Sequence, residues 1–165
     1  MYNGRVKALI LRAAFVAIPF VIVACDYGMT IRQLNSPSQG SSTKDSQIVV
    51  NVETAERLIG NTSYFTGVKL TNVSKESVTV SNIDLSAQDK TYENEPTKFT
   101  AYPLTINPGS TERVGVYFHF DDDVWNTFQK PADLRVYYRI GNEQNVAHAS
   151  IIGEEKGFKR LFFRH

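Results

Sequence analysis

An all-β fold, built as a single antiparallel β-sandwich of about seven strands, follows from three features of this 165-residue chain. After Asp45 apolar residues recur at the strand period of two. Clusters of Asn, Pro, Gly and Ser punctuate those alternating runs at short intervals. Finally, the roughly 140 residues left after an N-terminal export segment suffice for one hydrophobic core and not for two. The expected layout is a signal peptide over 1–24, a flexible tether over 25–46, the β-domain over 47–153 and a C-terminal tail over 154–165.

The elements follow in order. Ile48, Val50 and Val52 alternate with Val49, Asn51 and Glu53 and make a first strand. Thr54 to Gly60, with Ala55, Leu58 and Ile59, predicts a helical turn ending at the glycine. Tyr64, Thr66, Val68 and Leu70 form one face of the next strand, and 72–77 a turn. Val78 and Val80 point inward, but the next apolar residues are Ile83 and Leu85, so the phase flips and a bulge is expected near Ser81-Asn82. Residues 86–96 are polar and read as a loop, with Pro96 ending strand pairing there. Phe99 to Ile106 holds short extended pieces, and Asn107-Pro108-Gly109-Ser110 is a turn. Val114, Val116, Phe118 and Phe120 give the cleanest alternation, and Leu134, Val136, Tyr138 and Ile140 the next, before a turn at Gly141-Asn142. Val146 to Ile152 is the last strand, apolar in both phases.

The N-terminus carries Arg5, Lys7 and Arg12 and no acid, then the apolar run Ala13 to Ala24, ending Ile22-Val23-Ala24-Cys25. A positive start, a short apolar stretch and small residues at the cut describe a secretory signal peptide. Arg12 closes the run short of the roughly 20 residues a spanning helix needs. Ile-Val-Ala-Cys resembles the lipobox of bacterial lipoproteins, although that family prefers leucine where Ile22 stands. The resemblance implies that Cys25, the sole cysteine, becomes the acylated first residue of the mature protein, embedded in membrane lipid. Asp26 resembles the signal that retains Gram-negative lipoproteins in the inner membrane, so the expected place is lipid-anchored on the periplasmic side of that membrane. Competing readings are an uncleaved signal anchor, with Leu9 to Ala24 spanning and Arg12 snorkelling, and a secreted, unlipidated product. Residues 26–46, rich in Ser, Gly and Gln, read as a tether, on which Met29 and Ile31 could dock on the domain.

Val68-Lys69-Leu70-Thr71-Asn72, Val78-Thr79-Val80 and Asn107-Pro108-Gly109-Ser110-Thr111 before a strand resemble an immunoglobulin-like domain of bacterial envelope proteins. The likeness spans Val68 to Phe120 and implies an immunoglobulin-like sandwich without implying an activity. Trp125 has no cysteine partners, so the antibody-type Cys…Trp…Cys signature is missing.

Charge and composition narrow the function classes. Eighteen basic and 17 acidic side chains give +1, and loss of 1–24, with three basic and no acidic residues, leaves −2. Nucleic-acid binding, which shows as a strongly basic domain, is not expected. One cysteine rules out a thiolate metal cage. Asp121-Asp122-Asp123 lacks the spacing of a calcium loop and reads as a strand end with an aspartate capping a turn through Val124–Phe128, where Trp125 and Phe128 plug one end of the sandwich. His119, His148 and His165 have no zinc-site spacing. Neither a Gly-x-Ser-x-Gly elbow nor a phosphate loop occurs, so no enzyme and no cofactor or metal are expected.

More suggestive are the outward positions of the later strands, Arg113, Tyr117 and His119 on one and Arg135, Tyr137 and Arg139 on the other. If those strands pair, Arg113, Tyr117, Arg135, Tyr137 and Arg139 form one Arg/Tyr patch of the composition found at interface hot spots. The plainer reading is cross-strand packing on a solvated face. The tail Gly157–His165, basic and aromatic, could cover a sheet edge, lie on an anionic membrane or dock on a partner. Two sequon matches, Asn61-Thr62-Ser63 and Asn72-Val73-Ser74, are chance in a bacterial lipoprotein. The expected function is therefore binding or assembly with an envelope protein through a sheet face or edge, from a lipid anchor. The alternatives are a signal-anchored accessory subunit of a secretion or envelope complex and a carbohydrate- or ion-binding module.

Overall fold

A computed structural model describes residues 28–34, 47–95 and 101–156. The chain runs β1 (Gly28–Gln33), β2 (Ile48–Val52), β3 (Ala55–Leu58), β4 (Ser63–Asn72), β5 (Val78–Ala87), β6 (Lys90–Glu93), β7 (Leu104–Ile106), β8 (Thr111–His119), α1 (Val124–Phe128), β9 (Ala132–Ile140) and β10 (Glu143–Lys156). All pairings are antiparallel. The larger sheet has the order β3-β1-β10-β9-β5-β6, with β7 also on β5, and the smaller the order β2-β4-β8. The two sheets enclose one core, to which the expected inward series all contribute: Ile48, Val50 and Val52; Tyr64, Val68 and Leu70; Val114, Val116, Phe118 and Phe120; Leu134, Val136 and Tyr138. Each such side chain, fully buried, stabilises by about 1.5–3 kcal/mol. At one end Tyr64, Phe120 and Phe128 meet edge to face, with centroids 5.2 and 5.9 Å apart, and Trp125 packs against the core beside them.

The β5 bulge falls where the apolar phase flips. The β5–β9 register shifts between Val80 and Asn82, and Val78, Val80, Ile83 and Leu85 are all buried. The Asn107–Ser110 turn closes with a 3.0 Å bond from the Ser110 N–H to the Asn107 carbonyl, and Gly109 takes φ +70° at the third position. Asp123 accepts from the Asn126 N–H at 2.9 Å and caps α1, which fits the capping role read for it.

Three local expectations give way. Ala55–Leu58 is a strand rather than a helical turn, because it pairs with β1 and gains a ladder that four residues of helix could not match. Within the stretch expected as a loop, residues 86–93 belong to a hairpin: β6 pairs with the end of β5, and Gln88 and Asp89, both at positive φ, close it. Within the stretch expected as a tether, Gly28–Gln33 forms β1, with Met29 and Ile31 wholly buried between β3 and β10. The Gln33 carboxamide extends that pairing to the other sheet, accepting from the Val52 N–H at 2.7 Å and donating to the Val50 carbonyl at 3.2 Å. It thereby occupies backbone groups on the open edge of β2. At the other end of the chain, β10 continues past residue 153 to Lys156. Cys25, Asp26, the signal segment and the tail from residue 157 lie outside the described residues.

Candidate functional site

The five residues singled out by sequence do not form one patch. Arg113 and Tyr117 sit on β8 in the smaller sheet, whereas Arg135, Tyr137 and Arg139 sit on β9 in the larger, and β8 and β9 do not pair. Outward alternation is visible in sequence, but partner choice is not, and the two halves end up on different sheets.

On the smaller sheet the outward groups are engaged with one another. Arg113 forms a forked pair with Glu53, at 3.0 Å from Nε and 2.5 Å from Nη2, and Lys69 adds a third contact at 3.6 Å. The fork lies directly over Gly67: a Cβ there would come within 2.1 Å of the Glu53 carboxylate. Arg113 holds the Glu53 carboxyl below the usual carboxylate range, chiefly through the hydrogen bond. Farther along, Tyr117 Oη bonds Ser63 Oγ at 2.9 Å, and Ser63 Oγ lies 3.3 Å from His119 Nδ1.

The larger sheet carries a more organised face, laid out as rows across β5, β9 and β10. Asp84, Arg135 and His148 form one row, Asn82, Tyr137 and Val146 the next, and Thr79, Arg139 and Gln144 the third. Asp84, on the outward side of β5, is only 6 % exposed and is the hub of the first row. It accepts from Arg135 Nε at 2.6 Å and Nη2 at 3.0 Å, and from Tyr137 Oη at 2.9 Å, while Arg135 also reaches Thr91 Oγ1 at 3.1 Å. The hydrogen bond to Asp84 raises the Arg135 guanidinium above its ordinary range. Burial first, then the Asp84 carboxylate, pushes the Tyr137 phenol up. The ion pair therefore neutralises itself and fixes the Tyr137 ring, with the Arg135 guanidinium 6.0 Å from its centroid.

Arg139 is different. The described arginines are Arg32, Arg57, Arg113, Arg135 and Arg139. Arg32, Arg113 and Arg135 pair with carboxylates, and Arg57 lies over the Tyr64 ring. Arg139 is exposed and has no such partner among the described residues. It stands over an open groove of about 740 Å³, which the Ser81-Asn82 bulge and the cis Tyr102–Pro103 segment help to line. Sequence reasoning named Tyr137 and Arg139 but missed Thr79, Asn82, Asp84 and Gln144. The phase flip carried the missing signal, since placing Ile83 and Leu85 inward turns Asn82 and Asp84 outward.

The remaining candidates stay apart. His119 and His148 belong to different sheets, and His148 pairs with Asp133 at 2.8 Å. Asp121 contacts Lys90 at 3.3 Å, Asp123 is the helix cap, and no three potential metal ligands converge among the described residues. No described helix is long and apolar enough to cross a membrane.

Neither a protein-family model nor a curated protein matches the chain. A solved structure of a functionally unknown protein from Listeria monocytogenes EGD-e is similar over 73 % of this chain and 86 % of its own, at 17 % identity and a TM-score of 0.43.

Proposed function

We propose that this protein is a membrane-anchored periplasmic lipoprotein whose β-domain is a binding module, presenting the outer face of its larger sheet to a ligand or an envelope partner. One observation carries the reading: the two ends of β10 have different neighbours. Lys156 at one end pairs with Gly28, and Gly28 follows Cys25 by three residues. Toward the other end Gln144 and Val146 line the groove. Three residues span at most about 11 Å, so acyl chains on Cys25 hold the Gly28 end close to the bilayer. The ten residues from Val146 to Lys156 measure about 33 Å along a strand, which sets the groove clear of the lipid when β10 stands upright on the membrane. Anchor and recognition surface thus occupy opposite ends of one element.

The finer fold reading is an immunoglobulin-like sandwich. The order β2-β4-β8 corresponds to strands A-B-E of that fold, and β10-β9-β5-β6 to G-F-C-C′, with β1 and β3 added beyond G. Asp26 favours retention in the inner membrane.

Intact mass and membrane partition of the wild type beside Cys25→Ser, expressed in a Gram-negative host, test the anchor. The expected result is loss of residues 1–24 with a lipid-sized mass gain, both abolished by the substitution. An uncleaved mass, with both forms still membrane-bound, would establish a signal-anchored subunit instead.

A further inference from the structure

We propose that the groove on β5, β9 and β10 is a binding site for an acidic saccharide, with Arg139 taking the carboxylate and Tyr137 supplying the ring platform. The inference rests on the reading of this face as the binding face and names its ligand class. Three kinds of side chain converge there. Tyr137 and Val146, adjacent in register, form an apolar step in the middle of the groove. Asn82, Thr79 and Gln144 surround it, and their side chains make no hydrogen bond within the described residues. Arg139, between Thr79 and Gln144, supplies the only uncommitted guanidinium of the described face, because Arg135 is held by Asp84.

Each component has a matching chemistry. An aromatic ring with an apolar neighbour packs against the C–H face of a pyranose. Carboxamides and hydroxyls, able to donate and accept, suit sugar hydroxyls. An exposed guanidinium forks onto a carboxylate. Peptide recognition draws instead on free backbone groups of an edge strand or on deep apolar pockets. Here β9 is paired on both sides, Glu143–Ala149 of β10 is paired with β9 alone, and the groove is lined on the sheet face by Tyr137, Val146 and the side chains of Thr79, Asn82 and Gln144, a side-chain lining that favours a saccharide. Asp84 fixes the Tyr137 hydroxyl at 2.9 Å, so the platform is set before a ligand arrives.

Calorimetric titration of the lipidated full chain in detergent micelles, with α-1,4-linked tetragalacturonate and its methyl ester, tests the assignment. The acid is expected to bind at least about tenfold more tightly than the ester, the scale of a charge-assisted hydrogen bond. Arg139→Gln should remove that preference while leaving the melting temperature unchanged, and Tyr137→Ala should weaken both ligands. Equal binding of acid and ester, indifference to Arg139→Gln, or binding of neither by folded protein would overturn the proposal. So would equal affinity for a tetraglutamate peptide, which would assign the groove to protein carboxylates. Mass and partition of the same preparation are read separately, so failure of the anchor and failure of the saccharide site cannot be confused.

Discussion

Asn72 illustrates how much a single buried amide organises. Its Nδ2 donates to the carbonyls of Glu76 at 2.8 Å and Ile106 at 2.9 Å, and its Oδ1 accepts from Ser74 N at 2.9 Å and Ser74 Oγ at 2.7 Å. Its backbone bonds Ser110 and Gly109, so one residue ties the β4–β5 turn to the β7–β8 turn. Every side-chain position is used, which also places the Asn72 sequon amide out of a glycan's reach. Asn72→Ala should cost about 2–4 kcal/mol in urea unfolding, because it removes four hydrogen bonds and strands the buried Ile106 carbonyl; a loss below 1 kcal/mol would mean that water replaces the amide. Tyr64 makes a second residue-scale prediction, on pH. Burial pushes its hydroxyl up to about 12, against about 10 in the unfolded chain. Below pH 10 the phenol is protonated in both states and its contribution is complete. Above pH 10 only the unfolded chain ionises, so stability falls as pH rises toward 12. Between pH 8 and 11.5 the wild type should lose about 2 kcal/mol more than Tyr64→Phe, and equal losses would show that the phenol is hydrated in the native state.

Among the elements, β1 and the β5–β6 hairpin separate a packed segment from a connecting one. Ile31→Ala in a tether would change nothing, whereas in β1 it empties a fully buried site and should cost about 2–5 kcal/mol by chemical denaturation. Asp89 in the hairpin turn sits at φ 65°, where a Cβ is unfavourable. Asp89→Gly should therefore raise stability by about 0.5–1 kcal/mol, read as a melting temperature higher by a few degrees. Gln88 beside it donates to the Asn126 carbonyl and holds the turn on α1, so it is not a comparable target. These two elements also mark where sequence legibility ends. Strands with long alternation and a buried face, β4, β8 and β9, were readable, and so was the Val80–Ile83 phase flip at the bulge. By contrast β1, β3 and β6 are four to six residues long, and β3 and β6 stand at sheet edges. Such strands alternate too briefly, and edge positions need too little apolar surface, for period to identify them. Pairing is a further step beyond period. Arg113 and Arg135 both point outward as expected, but only the tertiary fold places one beside Glu53 and the other beside Asp84.

For the whole molecule, the decisive quantity is the distance between the lipid and the two ends of β10. The proposed anchoring through Cys25 would keep Leu58, the Cα partner of Gly28 and 60 % exposed, near the headgroups. Gln144 lies twelve residues before Lys156 on β10, about 40 Å along a strand. With Cys25 acylated, a cysteine introduced at either position is the only free thiol in the chain, so each can carry one fluorophore without competing label. Spin-labelled lipid headgroups quench over roughly a nanometre, about the limit set by the three-residue link from Cys25 to Gly28. In reconstituted vesicles the label at Leu58→Cys should be strongly quenched and the label at Gln144→Cys left nearly untouched. Equal quenching would mean that the domain lies flat, bringing the groove to the lipid and pointing to a headgroup as its ligand. Quenching of neither would place the domain beyond the reach of a short link, which Cys25 anchoring does not allow. The contrast between the two sites thus reports the orientation that makes a sheet face at the far end of the domain available to anything outside the membrane.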